Sequence, residues 1–197
     1  MRWRFALAAL LMLSGLAANA QVARSPDGKV SVTLRVSGEG RPEYSILRGG
    51  RTVIDWSRLG FILADAPKLE RNFEVAHVEH RAIDETWEQP WGERRFVRNH
   101  CTEQRVTIRE KTGAHRELIV VFRIFDDGVG FRYEFPEQAA LTQVNIVDEL
   151  TEFAVSEPAT AWWIPGGEWN RYEYLYNKTP LSEVGRASCR ERVSKQV

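Results

Sequence analysis

The chain has 197 residues, with 27 basic and 27 acidic side chains and a formal net charge of zero. Domains that bind nucleic acids present a basic patch or stripe, so this balance argues against a nucleic acid as partner. Hydrophobic residues make up 43% of the chain, and this is enough apolar material for one packed domain once the two ends are set apart.

Residues 1–20 have the composition of a secretory signal peptide. The positively charged Arg2 and Arg4 precede the apolar run Phe5–Leu16, which is too short to span a bilayer comfortably. Ala18-Asn19-Ala20 is a small-residue cleavage site. We expect cleavage after Ala20, export to the periplasm or the extracellular space, and no membrane span, because no other apolar run is long enough.

Alternating apolar and polar residues predict strands through the first third of the mature chain. A turn at Ser25–Lys29 precedes a clearly alternating strand, and a partner strand begins at Glu43–Leu47. Gly49-Gly50 makes the next turn, and shorter strands follow at Thr52–Trp56 and Leu59–Leu63. Strands at this spacing, with Gly and Pro between them, predict an all-β sandwich.

Two histidines lie in the weakly alternating stretch Lys68–Ala82. His77 and His80 are three residues apart. A metal site would need both side chains on one face, but residues three apart in a strand face opposite ways. We therefore interpret both as solvated polar residues.

The segment Asp84–Glu93 has no periodicity, and we predict a loop, which is where binding residues concentrate. Aromatic faces stack on sugar rings, so Trp87 and Trp91 are candidate carbohydrate contacts. The alternative is that both anchor the loop against the sandwich, because a Trp side chain buries a large area. Strands are predicted to follow at Arg94–Asn99 and Glu103–Glu110.

Cys101 lies between these two predicted strands, and the only other cysteine is Cys189 in the tail. A single thiol cannot form an internal disulfide. A nucleophilic role would need an activating base, and the adjacent His100 would point to the opposite face of a strand. We therefore predict a structural cysteine.

The stretch Glu117–Pro136 predicts the central hairpin of the domain. Its first run, Leu118–Phe125, is apolar on both faces except at Arg123, as in a strand buried between two layers. The second run, Val129–Phe135, alternates like a half-buried strand. Asp126-Asp127-Gly128 joins them as a turn in which Gly would accept a positive φ, and we interpret both aspartates as turn residues rather than as a metal or acid–base site.

Beyond the hairpin, we predict a strand at Thr142–Val147, closely followed by Asp148, Glu149 and Glu152. Three carboxylates in so short a span could bind a cation. They lack the spacing of an EF-hand loop, and we interpret them as an exposed strand edge.

The segment Ala159–Leu181 is the most site-like part of the chain, because six Trp and Tyr side chains crowd around Glu168 and Glu173. Trp169 within it is the third candidate carbohydrate contact. The alternative is an aromatic seam that closes one domain onto the next. Asn177-Lys178-Thr179 matches the glycosylation pattern, which is short and weak.

The last segment, 185–197, has no apolar periodicity, and Gly185–Val193 resembles the translated read-through of a sequencing adapter. We expect a non-native tail; the alternative is a basic interaction arm. The predicted domain is then 21–184, the front part of a longer protein.

Five motifs in order resemble the N-terminal domain of glycoside hydrolase family 97, from about Ser25 to Val184. They are SPDGK, DETW with WGE, FRIFDDGVGFRYEFP, DELTEF, and AWWIPG with YEYLY and TPLSE. The resemblance implies a β-super-sandwich similar to the galactose mutarotase fold. In this family it precedes a catalytic (β/α)₈ barrel, in exported bacterial enzymes that cleave α-linked glucosides or galactosides.

The resemblance also implies Ca²⁺ near the active site, with one Glu supplied by the N-terminal domain. The best matching position is Glu173, and Glu168 is the second choice. The catalytic carboxylates of the family lie on the barrel, and we expect that barrel to be missing from this sequence. An oligosaccharide substrate would therefore be bound jointly by this domain and the missing barrel. The resemblance assigns no catalytic residue to this chain.

Three hypotheses follow. The first is a carbohydrate-binding accessory domain of an exported, calcium-dependent α-glycosidase, inactive by itself. The second is a stand-alone carbohydrate-binding sandwich. The third is a mutarotase-like epimerase, which the ordinary strand and turn contexts of the histidines argue against. These are His77, His80, His100 and His115.

Overall fold

The computed structural model describes residues 20–166 and 173–184, which form antiparallel β-sheets without an α-helix. The predicted all-β sandwich is confirmed. Within the described residues, no helix is long and apolar enough to cross a membrane. The strands are β1 (Gln21–Arg24), β2 (Val30–Val36), β3 (Pro42–Arg48), β4 (Arg51–Arg58), β5 (Phe61–Leu63), β6 (Phe73–Glu88), β7 (Phe96–Glu110), β8 (Glu117–Ile124), β9 (Val129–Glu134), β10 (Ile146–Glu149), β11 (Ala154–Val155), β12 (Thr160–Trp163) and β13 (Asn177–Pro180).

One layer is a five-stranded sheet in the order β1-β2-β3-β4-β11. Gly49 and Gly50 join β3 to β4, with φ angles of 57° and 78°. Positive φ at both central residues is what a tight two-residue hairpin requires, and glycine adopts it without steric cost. The predicted turn is therefore confirmed at these positions.

The other layer is a four-stranded sheet in the order β6-β7-β8-β9. The predicted central hairpin is β8–β9, with Ile124 opposite Val129. Its turn is closed by a hydrogen bond of 2.8 Å from Phe125 N–H to the Gly128 carbonyl. Gly128 is not among the residues with positive φ, so the expected conformation of this glycine was wrong although the turn itself is present.

The hydrophobic core lies between the two sheets and is built by the predicted alternation. Every second residue of β2 is buried, and so are Leu118, Val120 and Phe122 on the facing side of β8. Tyr44 of β3 reaches across, with its ring centroid 6.0 Å from that of Phe122 and 5.6 Å from that of Phe131. The phenol of Tyr44 donates a hydrogen bond of 2.8 Å to the Glu152 carbonyl.

The predicted loop Asp84–Glu93 is wrong in its first half, because β6 continues to Glu88. The two strands predicted at Arg94–Asn99 and Glu103–Glu110 are likewise one strand, β7, paired with β6 as far as Glu88 opposite Phe96. Both faces of this extension are largely exposed. Because a strand that is solvated on both faces needs no apolar alternation, the periodicity did not reveal it.

The strand predicted at Thr142–Val147 is also displaced. Strand β10 occupies Ile146–Glu149, where it pairs with the short β5. Its position depends on this pairing with Phe61–Leu63, and not on a pattern within its own sequence.

We expect Phe122→Ala to lower the free energy of unfolding by about 3–5 kcal/mol, because the truncation leaves a cavity between the sheets. Phe96→Ala is the matched control, since the Phe96 side chain is 59% exposed. Urea unfolding followed by Trp fluorescence measures both. Equal effects of the two substitutions would contradict the proposed position of the core.

Candidate functional site

The outer part of the β6–β7 hairpin, residues 83–101, projects from the sandwich and is called the arm here. Strand β7 pairs with β8 only from Thr102 onward, where Thr102 lies opposite Ile124. The β1–β2 turn and the β8–β9 turn lie at the end of the sandwich from which the arm projects. They contact each other there, since the Asp27 N–H donates a hydrogen bond of 2.9 Å to Asp126 Oδ1. We call this end of the sandwich the arm end. The contact confirms the interpretation of Asp126 as a turn residue.

Side-chain pairs across the two strands hold the arm in register. Arg98 donates to both carboxylate oxygens of Asp84 at 2.8 Å, and Asn99 donates to Glu85 at 2.7 Å. The Arg98 guanidinium lowers the pKa of the Asp84 carboxyl. An isolated two-stranded hairpin is marginally stable in water. Such pairs therefore stabilise a ribbon that pairs with no further strand among the described residues.

The tip of the arm is aromatic and exposed. Trp87 lies in β6 opposite Val97 and is 49% exposed, and Trp91 lies in the connecting loop and is 76% exposed. Gln89 closes this loop, since its N–H donates to Arg95 O at 2.9 Å. The indoles are not packed in the core, so their aromatic surface is accessible. Their assignment to carbohydrate stays a prediction.

A second aromatic group lies on the β12–β13 hairpin. Trp162 is 64% exposed, and Lys178 Nζ lies 5.0 Å from the centroid of its ring. Trp163 is half-buried and donates a hydrogen bond of 3.1 Å from Nε1 to Thr179 Oγ1. The hairpin therefore displays one indole outward while the other is fixed to its neighbouring strand.

The chain reaches this hairpin from the arm end of the sandwich. Strand β11 runs antiparallel to β4, with Ala154 opposite Asp55 and Val155 opposite Ile54. It is thus directed toward the beginning of β4, next to the Gly49-Gly50 turn. That turn lies at the arm end, because Gly49 N–H donates to Lys29 O at 2.8 Å.

The predicted calcium ligand Glu173 is exposed and lies just ahead of β13. Trp169 and Glu168 lie outside the described residues. A carboxylate suits Ca²⁺, but the ion takes six to eight oxygen ligands. The described residues contain no group of three or more His, Cys, Asp or Glu that could hold a metal ion. The assignment of Glu173 to calcium stays a prediction.

The carboxylates that follow Thr142–Val147 are engaged within the fold. Glu152 Oε2 accepts a hydrogen bond of 2.8 Å from Arg58 Nε, and its other oxygen contacts the same guanidinium. Glu149 Oε1 accepts one of 2.5 Å from the Thr151 hydroxyl. Arg58 lowers the pKa of the Glu152 carboxyl. The interpretation against a cation site agrees with these contacts.

Cys101 is buried at the base of the arm, with its side chain 1% exposed. Desolvation by burial raises the pKa of its thiol. Because the thiolate is the nucleophile, this environment favours an inert structural cysteine, as predicted. His77 and Glu79 form an exposed pair at 3.1 Å, which agrees with the interpretation of this histidine as solvated.

Sequence reasoning missed the arm and the exposed Phe96 at its tip. The sequence did contain a signal for a long hairpin. The acidic residues Asp84, Glu85 and Glu88 precede the Gln89–Arg95 loop, whereas Arg95, Arg98 and Asn99 lie at its end or beyond it. Opposite charges face one another across antiparallel strands. The order of charges was therefore compatible with one long hairpin.

The sequence of the chain matches the family described as Glycosyl-hydrolase 97 N-terminal over residues 23–193. The chain belongs to this family. The family 97 match includes all strands of the sandwich except the first two residues of β1, and it continues past Val184 into the segment for which we predicted a non-native origin. The resemblance read from the five motifs is thus confirmed.

Solved structures agree with this assignment. A glycoside hydrolase family 97 enzyme from Pseudoalteromonas sp. strain K8, in complex with panose, is 42% identical, with a TM-score of 0.76 over 83% of this chain. Its complex with acarbose gives 42% identity and a TM-score of 0.75 over 81% of this chain. A β-arabinopyranosidase is 27% identical, with a TM-score of 0.70 over 80% of the chain.

A probable retaining α-galactosidase of Streptomyces bingchenggensis (strain BCW-1) is 33% identical over 138 residues, which is 70% of this chain. The chain spans 20% of that protein and 25% of the panose-bound enzyme. Family membership therefore concerns the N-terminal domain of much longer relatives.

We expect the free energy of unfolding to fall as the pH drops below the ordinary Glu pKa of about 4.3. The folded pKa of Glu152 is lowered, so its contribution is present above the unfolded pKa and is lost as pH falls through the folded one. Glu152→Gln should cost about 1 kcal/mol at neutral pH and flatten the acid limb. Urea unfolding against pH measures this, with the exposed Glu137→Gln as control. An unchanged acid limb in Glu152→Gln would contradict it.

Proposed function

We propose that this chain is the carbohydrate-binding, N-terminal accessory domain of an exported, calcium-dependent α-glycosidase that acts on α-glucosides or α-galactosides. The observation that carries the proposal is membership of family 97. The relatives support the substrate class, since they include a probable retaining α-galactosidase and family 97 enzymes in complex with panose and acarbose. A β-arabinopyranosidase also shares the fold. The proposed preference for α-glucosides or α-galactosides therefore rests on the α-galactosidase and on the enzymes in complex with panose and acarbose.

The accessory role is supported by the carboxyl groups of the described residues. A glycosidase needs one carboxylic acid with a raised pKa as proton donor and a second carboxylate as base or nucleophile. Where a carboxyl pKa in this part of the chain is shifted, it is lowered, and in three cases an arginine is the main cause. The lowered groups are Asp27, Asp84, Glu134 and Glu152. These carboxylates suit structural pairing better than proton donation.

Carbohydrate contact is assigned to the exposed indoles of the arm, Trp87 and Trp91, together with Trp169. The first two lie on a ribbon that holds its shape through paired charged side chains, so little ordering is needed when a sugar stacks on them. A stand-alone carbohydrate-binding module is the second candidate function, because the indoles of Trp87 and Trp91 are accessible without another domain.

Export is supported by residues 1–20, whose charge, apolar run and small-residue site are those of a cleaved leader. Calcium is supported by Glu173, which would supply one carboxylate ligand beside ligands from another part of the full-length enzyme. When bound, the ion would orient sugar hydroxyls or polarise an oxygen atom near the reacting bond.

We expect the 197-residue chain to show no turnover of aryl α-glucosides or α-galactosides, because the carboxyl pKa values of Asp27, Asp84, Glu134 and Glu152 are lowered, whereas a proton donor needs a raised one. A chimera tests the accessory role. Residues 21–184 replace the corresponding segment of the Pseudoalteromonas enzyme, with the same enzyme lacking that segment as control. We expect activity in the chimera and little in the control. Activity of the isolated chain, or a folded but inactive chimera, would contradict the proposal.

We expect Trp91→Ala to weaken binding of acarbose to the chimera severalfold, because one exposed stacking surface is removed, and Trp87→Ala to have a smaller effect. Trp56→Ala is the matched control. Trp56 is 37% exposed on the five-stranded sheet, where the Arg35 guanidinium lies 3.5 Å from its ring centroid. Isothermal titration calorimetry measures the affinities. Equal losses in all three variants would contradict the arm as the contact. Severalfold weaker binding by Trp91→Ala of the isolated chain as well would favour the stand-alone module.

We expect Glu173→Gln in the chimera to raise the calcium concentration needed for half-maximal activity about tenfold, since one charged ligand is lost. The exposed Glu183→Gln, on the turn after β13, is the control. The isolated chain should show no tight calcium binding by calorimetry, because one carboxylate falls far short of the ligands the ion requires. Tight binding by the isolated chain, or identical calcium curves for both variants, would contradict the assignment.

A further inference from the structure

Strand β1 begins at the residue that follows the predicted cleavage site. Ala20 is exposed and lies outside any strand, whereas Gln21 begins β1 and pairs with Leu34 of β2. Cleavage after Ala20 would make Gln21 both the first residue of the mature chain and the first residue of the sheet. An N-terminal glutamine carries its own electrophile, the side-chain carboxamide, close to a free amine.

We propose that Gln21 is converted to pyroglutamate after the leader is removed. The α-amino nitrogen attacks Cδ of the same side chain, so an N–Cδ bond forms and the Cδ–Nε2 bond breaks. Nε2 leaves as ammonia and takes up a proton from the amine. The product is a cyclic lactam, and no oxidant, reductant or cofactor takes part. This inference rests on the export proposal, because Gln21 is otherwise an internal residue.

The position of Gln21 favours ring closure. Strand β1 is an edge strand of 4 residues whose neighbour in the sheet is β2. Chain ends and short edges open most readily, which gives the side chain freedom to fold back on its amine. Among the described residues, no hydrogen bond holds the Gln21 carboxamide in another direction.

The charge at this position favours the product over the free amine. Gln21 is half-buried, and its partner Leu34 is fully buried. A partly desolvated ammonium is unfavourable, whereas the lactam is neutral. Cyclisation therefore removes a group that would otherwise titrate with a pKa of about 7.7–8.0.

The test is mass spectrometry of the complete chain, produced with its own leader in a bacterial host and isolated from the periplasm. We expect an N-terminal peptide that starts at residue 21 and is lighter than the linear peptide by one ammonia. It should be resistant to Edman degradation and released by pyroglutamyl aminopeptidase. Gln21→Ser, which cannot cyclise, and Gln21→Glu, which cyclises far more slowly, should give linear termini.

The outcomes separate this inference from the export proposal on which it rests. A mature chain that begins with linear Gln21 after prolonged incubation at neutral pH would overturn the inference and leave export intact. A chain that keeps Met1, or begins at another residue, would overturn both the proposed cleavage and the modification.

Discussion

The contact of Tyr44 with the opposite sheet is the interaction on which the rest of the structure depends. Its ring packs on Phe122 and Phe131 of the four-stranded sheet, and its hydroxyl donates to the Glu152 carbonyl. Tyr44 is fully buried, so the hydrogen bond satisfies a polar group that would be costly without a partner. One side chain thus joins the two layers and also fixes the segment that follows β10.

The fixed segment controls where the later part of the chain leaves the sandwich. Glu152, held through its carbonyl by Tyr44, also binds the Arg58 guanidinium through its carboxylate. These two bonds place β11 alongside β4, and β11 directs the chain toward the arm end. The chain therefore enters the aromatic β12–β13 hairpin from the end of the sandwich at which the arm projects.

This arrangement separates the aromatic side chains of the core from those that are exposed on the surface. The buried aromatic rings hold the two sheets together, whereas the exposed indoles lie on the arm and on the β12–β13 hairpin. Each of these two hairpins extends from the sandwich and has solvent on much of its surface, so its aromatic side chains are available for contacts.

Residue patterns alone predicted the all-β fold, the central hairpin Glu117–Pro136 and the family. Alternation reports burial on one face, and wherever a strand covers the core, as β2 and β8 do, that signal is strong. The length of β6 and β7, the position of β10, and the exposure of Trp87 and Trp91 became clear only from the folded arrangement of the strands. Those features depend on cross-strand pairing between distant segments, and a strand that is solvated on both faces leaves no apolar period in its own residues.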